Sequence, residues 1–263
     1  MKFELRRLLG CTVAAALLAV AGLSHGQPAT PVPATQTLVV AVDDSLAVAL
    51  VDVARAFEAA RPGVTVRLVP GSSGALLEQM ARELQADVLV GSDARTVAFG
   101  VRRGMLVDDL RSAFASNTLV LVTPTRLNLP LRRMTDLGRA EVVRIATGRE
   151  ANVPVGRYAR EAINAQRLWP TVQRKLVMTN SETEIVALLA SAEVEAGFVY
   201  ATSAARQPEV LRVVEVLATN TPIRYQANVV AASTQPGLGR EFIGFLRSEA
   251  AGALLQKQGF GPP

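Results

Sequence analysis

The sequence predicts an α/β fold in which buried strands alternate with amphipathic helices. Two observations carry that reading. Short, continuous apolar runs of the kind that fill a strand covered on both faces recur along the chain, and several of them lead into apolar residues at helical spacing. Strands alternating with helices pair through crossovers, so a parallel sheet is the economical outcome.

The elements follow in order. Thr37 to Val42 is the first apolar strand, and Asp44 or Ser45 opens a helix whose Leu46, Leu50, Val53 and Phe57 share one face. Val64 to Val69 is the second strand, Ala75 to Leu84 the second helix, and Ala86 to Val90 a third buried strand. Asn117 to Thr123 is another apolar run, closed by the boundary signal Pro124 to Pro130. The alternation then restarts with a strand at Val142 to Ala146, a turn at Thr147 to Glu150, and a helix at Val155 to Leu168 entered through Pro154. Ser181-Glu182-Thr183-Glu184 has the form of a capping box ahead of Ile185, Val186, Leu188 and Leu189. Gly197 to Tyr200 is a short buried strand, Pro222 to Ala232 a long one, and helices at Leu238 to Leu246 and Glu249 to Gln258 end the chain.

Between the second strand and its helix lies Pro70-Gly71-Ser72-Ser73-Gly74. The first N–H groups of a helix have no internal partner and sit at the positive end of its dipole, so such a mouth holds an anion without Lys or Arg. A plainer role also fits, with Ser73 capping the helix and Gly71 turning the chain. In sheets of this kind ligands sit beyond the carboxyl ends of the strands, where both the Ser45 and Ser73 turns fall.

Composition narrows the chemistry. The 263 residues carry 28 Lys and Arg against 23 Asp and Glu, a formal net charge of +5, and 5% aromatics, which is too balanced and too poor in stacking platforms for a nucleic-acid protein. The start, with Lys2, Arg6 and Arg7 before an apolar run from Leu8 to Leu23 and small residues at Ser24-His25-Gly26, reads as a signal peptide over 1–26, cleaved or retained as an anchor. A Pro/Ala-rich tether follows over 27–36. The only cysteine, Cys11, and the only histidine, His25, fall inside the leader, so the exported chain has no Ser-His-Asp triad, thiolate nucleophile or disulfide. A hydrolase built on Ser73 also lacks a Gly-x-Ser-x-Gly elbow.

Four blocks, Gly71-Ser72-Ser73-Gly74-Ala75-Leu76, Ala86-Asp87-Val88, Val153-Pro154-Val155-Gly156-Arg157-Tyr158-Ala159-Arg160-Glu161-Ala162 and Gly197-Phe198-Val199-Tyr200, resemble in content, order and spacing the periplasmic molybdate-binding proteins of ABC importers. The resemblance runs from about Thr37 to Phe260. It implies a two-lobed type II periplasmic binding protein fold, each lobe a mixed, mainly parallel sheet flanked by helices, with lobes at 37–119 plus 225–263 and at 120–224 and the ligand in the interlobe cleft. It implies a periplasmic monomer that is not an enzyme and has no cofactor, capturing molybdate or tungstate and passing it to a membrane permease with a cytoplasmic ATPase. Residue by residue, Ser45 and Ser73 match hydroxyl and backbone donors of the first lobe. Val155 and Glu182 match backbone N–H donors of the second, and Tyr200 matches a ligand-facing hydroxyl. The metal is met only through the oxygens of its oxyanion. A sensory subunit of the same fold would look the same in sequence.

One stretch departs from that family. Asp43-Asp44 stands just before Ser45, where small apolar residues are usual. Either the pair points away, with Asp44 capping the helix and Asp43 in solvent, or the site has changed its ligand. Glu182 needs only its backbone for the matched role, which leaves its side chain free to face water. Arg157 and Arg160 read as surface residues, and Tyr200 could instead be a core tyrosine bonded to a carbonyl.

Overall fold

The computed structural model describes residues 35–108 and 113–263. The predicted signal peptide and all but the end of the predicted tether lie outside the described residues. The elements run β1 (Gln36–Asp43), α1 (Asp44–Ala60), β2 (Val64–Gly71), α2 (Ser73–Arg82), β3 (Val88–Gly91), α3 (Ala94–Arg102) and β4 (Ala113–Asn117). Next come β5 (Leu119–Pro124), β6 (Ile145–Gly148), α4 (Pro154–Ala165), α5 (Trp169–Val172), β7 (Leu176–Thr179), α6 (Glu182–Ala190), β8 (Ala196–Tyr200), α7 (Ala201–Ala205) and β9 (Leu211–Leu217). Then β10 (Ile223–Val229), α8 (Pro236–Leu246) and α9 (Glu249–Lys257) complete the chain.

Two five-stranded sheets result, ordered β2-β1-β3-β10-β4 and β7-β6-β8-β5-β9. Each is mixed: β1 with β2 and β3, and β6 with β7 and β8, pair in parallel, while β10 and β5 run antiparallel to their neighbours. The chain leaves the first sheet at Thr118 and returns between Leu217 and Ile223.

The unbroken apolar run of β1 is explained by cover on both faces. Leu38, Val40 and Val42 enter a core with Leu46, Leu50, Val53 and Phe57 of α1 and Phe242 of α8, while Ala41 faces Leu76, Leu77, Leu89 and Val97. Each buried Leu or Phe stabilises by roughly 1.5–3 kcal/mol, and Phe57 and Phe242 add an edge-on ring contact with centroids 5.1 Å apart. The second sheet has its own core, built around Leu121, Ile145, Tyr158, Ile185, Phe198 and Tyr200.

Local chemistry moves some predicted boundaries. The strand read at Val142 to Ala146 begins at Ile145, because the Val143 and Arg144 N–H groups donate instead to the Glu195 carboxylate at 3.1 and 2.6 Å. The fourth helix stops at Ala165, and Arg167 follows with φ +57°.

Register sets the site. Asp43 lies opposite Gly71 and Val42 opposite Val90, so the carboxyl ends of β1, β2 and β3 stand side by side and the first turns of α1 and α2 meet. In the second lobe Gly148 lies opposite Thr179, which brings the ends of β6 and β7 together. A Cβ on Gly156 would fall 2.0 Å from the Gly148 carbonyl oxygen, so only glycine lets α4 start this close to β6.

Candidate functional site

At the strand ends of the first lobe, a single carboxylate is the focus of a convergent set of donors. Asp43, the last residue of β1 and the N-cap of α1, is 1% exposed. Its Oδ1 accepts from Ser45 N–H at 3.3 Å and Ser45 Oγ–H at 2.6 Å. Its Oδ2 accepts from Ser73 N–H at 3.1 Å, from the Ser73 hydroxyl, and from Ser92 Oγ–H at 2.9 Å. Five neutral donors therefore hold one negative charge.

A second layer fixes the direction of those hydroxyls. Each serine has one proton, and all three point theirs at Asp43. Ser45 Oγ and Tyr225 Oη are 2.7 Å apart, so with the serine proton committed the tyrosine donates, and Asn117 Nδ2 donates to Tyr225 Oη at 3.1 Å. Ser92 N–H donates to Ser73 Oγ at 3.1 Å, and Tyr200 Oη lies 3.4 Å from Ser92 Oγ, to which it donates. Tyr200 thus faces this cluster rather than a backbone carbonyl.

The expectation that Asp44 caps α1 while Asp43 meets solvent is overturned. The pairing of β1 with β2 and β3 carries Asp43 inward, and Asp43 takes the cap. Asp44 instead reaches the other lobe, where its Oδ2 accepts from Thr183 N–H at 3.0 Å and Thr183 Oγ–H at 3.1 Å in the first turn of α6. The negative side chain at a helix N-terminus is a favourable placement. Ser181 caps α6 through Glu184 N–H, whereas the Glu184 carboxylate accepts from Asn180 N–H, one residue outside the box read from sequence.

Glu182 also departs from expectation: its side chain is buried, not in water. Its Oε1 accepts from Tyr200 N–H at 2.7 Å, at the end of β8. Burial, reinforced by the charge of Asp44, pushes its carboxyl up to about 8. Asp43 is pushed up to about 6 by burial first and by Asp44 second, against the three serine hydrogen bonds that favour its charged form. Burial likewise drives the Tyr200 and Tyr225 hydroxyls well above their ordinary range, so both are neutral donors.

Of the residues singled out in the sequence, Ser45 and Ser73 touch the Asp43 carboxylate and Tyr200 reaches it through Ser92. Val155 and Glu182 are buried in the first turns of α4 and α6, where backbone N–H groups have no partner within the helix, and neither hydrogen-bonds Asp43. Ser92, Asn117 and Tyr225 escaped the sequence reading. The available signal was position: Ser92 follows β3 at the same sheet edge as Ser45 and Ser73. Two further hydroxyls at this level, Ser72 Oγ beside α2 and Thr147 Oγ1 near the end of β6, are buried without a hydrogen-bond partner.

The lobes meet around the cluster. Gly74 N–H donates to the Asn152 carbonyl at 3.0 Å, and a Cβ on Gly74 would lie 2.5 Å from Asn152 Cα. Arg157 is not a surface residue: its Nη2 pairs with Asp93 Oδ2 at 2.7 Å and donates to Thr96 Oγ1 at 2.7 Å across the cleft. Arg160 is half-buried, lies over the Trp169 ring and is 3.7 Å from the Glu150 carboxylate. A cavity of about 170 Å³ has Asp44, Glu182, Thr183 and Arg206 in its lining, and one of about 470 Å³, at the Gly74–Asn152 contact, has Arg95, Arg102 and Arg103 in its lining.

Two mixed sheets flanked by helices and joined by two crossings have the fold of the type II periplasmic binding proteins. The chain belongs to the bacterial extracellular solute-binding protein family, which matches residues 38–261. It is 29% identical over 246 residues to a Bacillus subtilis (strain 168) protein provisionally named ABC transporter substrate-binding lipoprotein YvgL, covering 93% of this chain and 94% of that one. It is 26% identical over 246 residues to the molybdate-binding protein ModA of Mycobacterium tuberculosis (strain H37Rv), covering 90% and 88%. Among solved structures, the periplasmic molybdate-binding protein of Azotobacter vinelandii superposes with TM-score 0.72 at 19% identity over 86% of this chain and 99% of that one. The sulfate-binding protein SubI of Mycobacterium tuberculosis superposes with TM-score 0.75 at 19% identity over 86% and 87%. The family is one of solute-binding proteins rather than enzymes. Solute-binding proteins of ABC importers bind a small ligand and deliver it to a permease and its ATPase.

Proposed function

We propose that this protein is the periplasmic capture subunit of an importer for a small tetrahedral oxyanion, with molybdate or tungstate as its cargo. The observation that carries the reading is the Asp43 carboxylate itself, held at the strand ends by five neutral donors. A set of Ser hydroxyls and helix-terminal N–H groups that accommodates one buried oxyanion has the chemistry to hold another. Neutral donors suit a carrier that must also let go, since each contributes about 1–3 kcal/mol to a charged acceptor and several act together. The 26% identical molybdate-binding relative supports the choice of cargo. Arg95, Arg102 and Arg103 beside the cleft favour approach of an anion.

In this reading the lobes 37–119 plus 225–263 and 120–224 rotate about the two crossings to close on the ligand, which Ser45 and Ser73 meet from one side and Val155, Glu182 and Tyr200 from the other. Export by the predicted signal peptide delivers the protein to the periplasm as a monomer, where a permease with a cytoplasmic ATPase receives the cargo. The test is calorimetry with molybdate at pH 6 on the wild type, Ser73→Ala and Tyr200→Phe. Each variant should lose about 1–3 kcal/mol of binding while keeping its fold. Unchanged affinity in both returns these residues to a structural role.

A second reading is the same fold with a different ligand, and Asp43 favours it. At about 5 Å and an effective dielectric of about 20, an ionised Asp43 opposes each further unit of negative charge by about 3 kcal/mol. A panel with sulfate and phosphate beside molybdate and tungstate separates the readings.

A further inference from the structure

We propose that Asp43 makes capture proton-linked: the site takes up a fully ionised oxyanion together with one proton from solvent, and Asp43 holds that proton. The inference rests on the oxyanion reading above and adds what the ligand must bring with it.

The argument is one of donor supply. The hydroxyls of Ser45, Ser73 and Ser92 have a single proton each, and all three are directed at Asp43. An oxyanion that binds these donors takes them away from the carboxyl. Asp43 is 1% exposed and cannot regain the lost hydrogen bonds from water. An ionised Asp43 would then be a buried charge without donors beside a dianion. A protonated Asp43 turns the same contact from repulsion into donation, because its O–H can point at a ligand oxygen.

The groups around Asp43 supply no competing counter-charge. From α1 comes Asp44, from α6 Glu182, from β8 Tyr200, from β10 Tyr225 and from α4 Tyr158, all acidic or neutral. Neither cation on the neighbouring elements pairs with the Asp43 carboxylate: Arg157 of α4 pairs with Asp93, and Arg206, just past α7, reaches the Ser45 carbonyl and Ser203 Oγ. Three serine donors and a buried carboxylate therefore need one positive charge to admit a dianion, and a proton is the one available.

Two conditions make that proton affordable and assignable. Asp43 already titrates near 6, so protonating it at pH 7 weakens apparent binding about tenfold rather than a thousandfold. Glu182 titrates near 8 and is mostly neutral at pH 7 before ligand arrives, so the proton gained there belongs to Asp43.

The experiment is calorimetric titration of the purified protein with molybdate between pH 5.5 and pH 8, repeated at each pH in two buffers of different ionisation heat, which counts protons exchanged. Wild type should take up about one proton per molybdate at pH 7 and only about a quarter of one at pH 5.5, and its apparent affinity should fall about tenfold per pH unit well above pH 6. Asp43→Asn, which keeps the side-chain shape and one acceptor oxygen, should bind with no proton uptake at pH 7 and a flat pH profile. Should Asp43→Asn not fold, the wild-type proton count decides alone. Molybdate binding without proton uptake at pH 7, or an unchanged pH slope in Asp43→Asn, overturns the inference while leaving the oxyanion reading intact. No heat with any oxyanion in either protein at every pH overturns that reading, and this inference with it.

Discussion

Raising the pH from 5 to 8 should destabilise this protein, the reverse of ordinary acid denaturation. Two buried carboxyls cause it. Asp43 rises from an ordinary 3.8 to about 6 and Glu182 from 4.5 to about 8, in both cases chiefly through burial. The unfolded chain gives up these protons near pH 4 while the folded state keeps them, so the folded state binds more protons across the window and stability falls as pH rises. For Asp43 the loss runs from about pH 4 to 6, and for Glu182 from about pH 4.5 to 8. At about 1.4 kcal/mol per pH unit per group, the interval from pH 5 to 8 costs about 1 kcal/mol through Asp43 and about 4 kcal/mol through Glu182. The two share one environment with Asp44, so they do not add fully, and a net loss of about 3–5 kcal/mol is expected. Asp136, held below the usual carboxylate range by the Arg132 and Arg133 N–H groups, loses its contribution only at lower pH and leaves this window alone. Urea unfolding at pH 5, 6, 7 and 8 reads the effect directly. Glu182→Gln keeps an acceptor for Tyr200 N–H and carries no charge, so it should flatten most of the slope above pH 6. Stability that is flat or rises from pH 5 to 8, or a slope unchanged by Glu182→Gln, refutes the reasoning.

Two further predictions concern the seam between lobes. Gly74→Ala places a methyl 2.5 Å from Asn152 Cα and 2.6 Å from its carbonyl oxygen, both backbone, so the lobes must part there. The variant should fold, show a larger radius of gyration by small-angle scattering, and lose at least about tenfold in oxyanion affinity; unchanged scattering and affinity would show that the seam tolerates it. Arg157→Met strands the buried Asp93 carboxylate and should cost about 3–5 kcal/mol in thermal or urea melts, with Asp93→Asn restoring much of it in the double variant. Equal stability of the wild type and the single variant would remove the pair from the account.

The repeating units β1-α1 and β2-α2 were legible because their information is local: apolar strand runs, helical spacing at Leu46, Leu50, Val53 and Phe57, and a glycine-serine mouth. The third helix was missed because Ala94–Arg102 is short and buries Thr96, Val97 and Gly100 while Phe99 is exposed, so its large apolar residues do not mark the buried face, and β9 because it is an edge strand with Val213 and Val216 exposed. Ser45, Ser73 and Tyr200 could be placed from the ends of predicted strands. The position of Asp43 could not, since only the alignment of β1 between β2 and β3 decides whether it faces water or the serines. Asn117 and Tyr225 lie on strands distant in sequence, β4 and β10, that the first sheet brings together. Arg157 is buried against Asp93 and Thr96 of the other lobe and Glu182 against the Tyr200 N–H at the end of β8, contacts that leave no mark on local periodicity.

The measurement that bears most directly on the central claim is a crystal structure of the protein grown with saturating molybdate at pH 6, with the metal located by its anomalous scattering. The account predicts a single tetrahedral anion on the Ser45 and Ser73 hydroxyl and N–H donors and the Ser92 hydroxyl, with the Asp43 carboxyl displaced from them. A metal found elsewhere, or Asp43 still on all five donors at saturation, would contradict it.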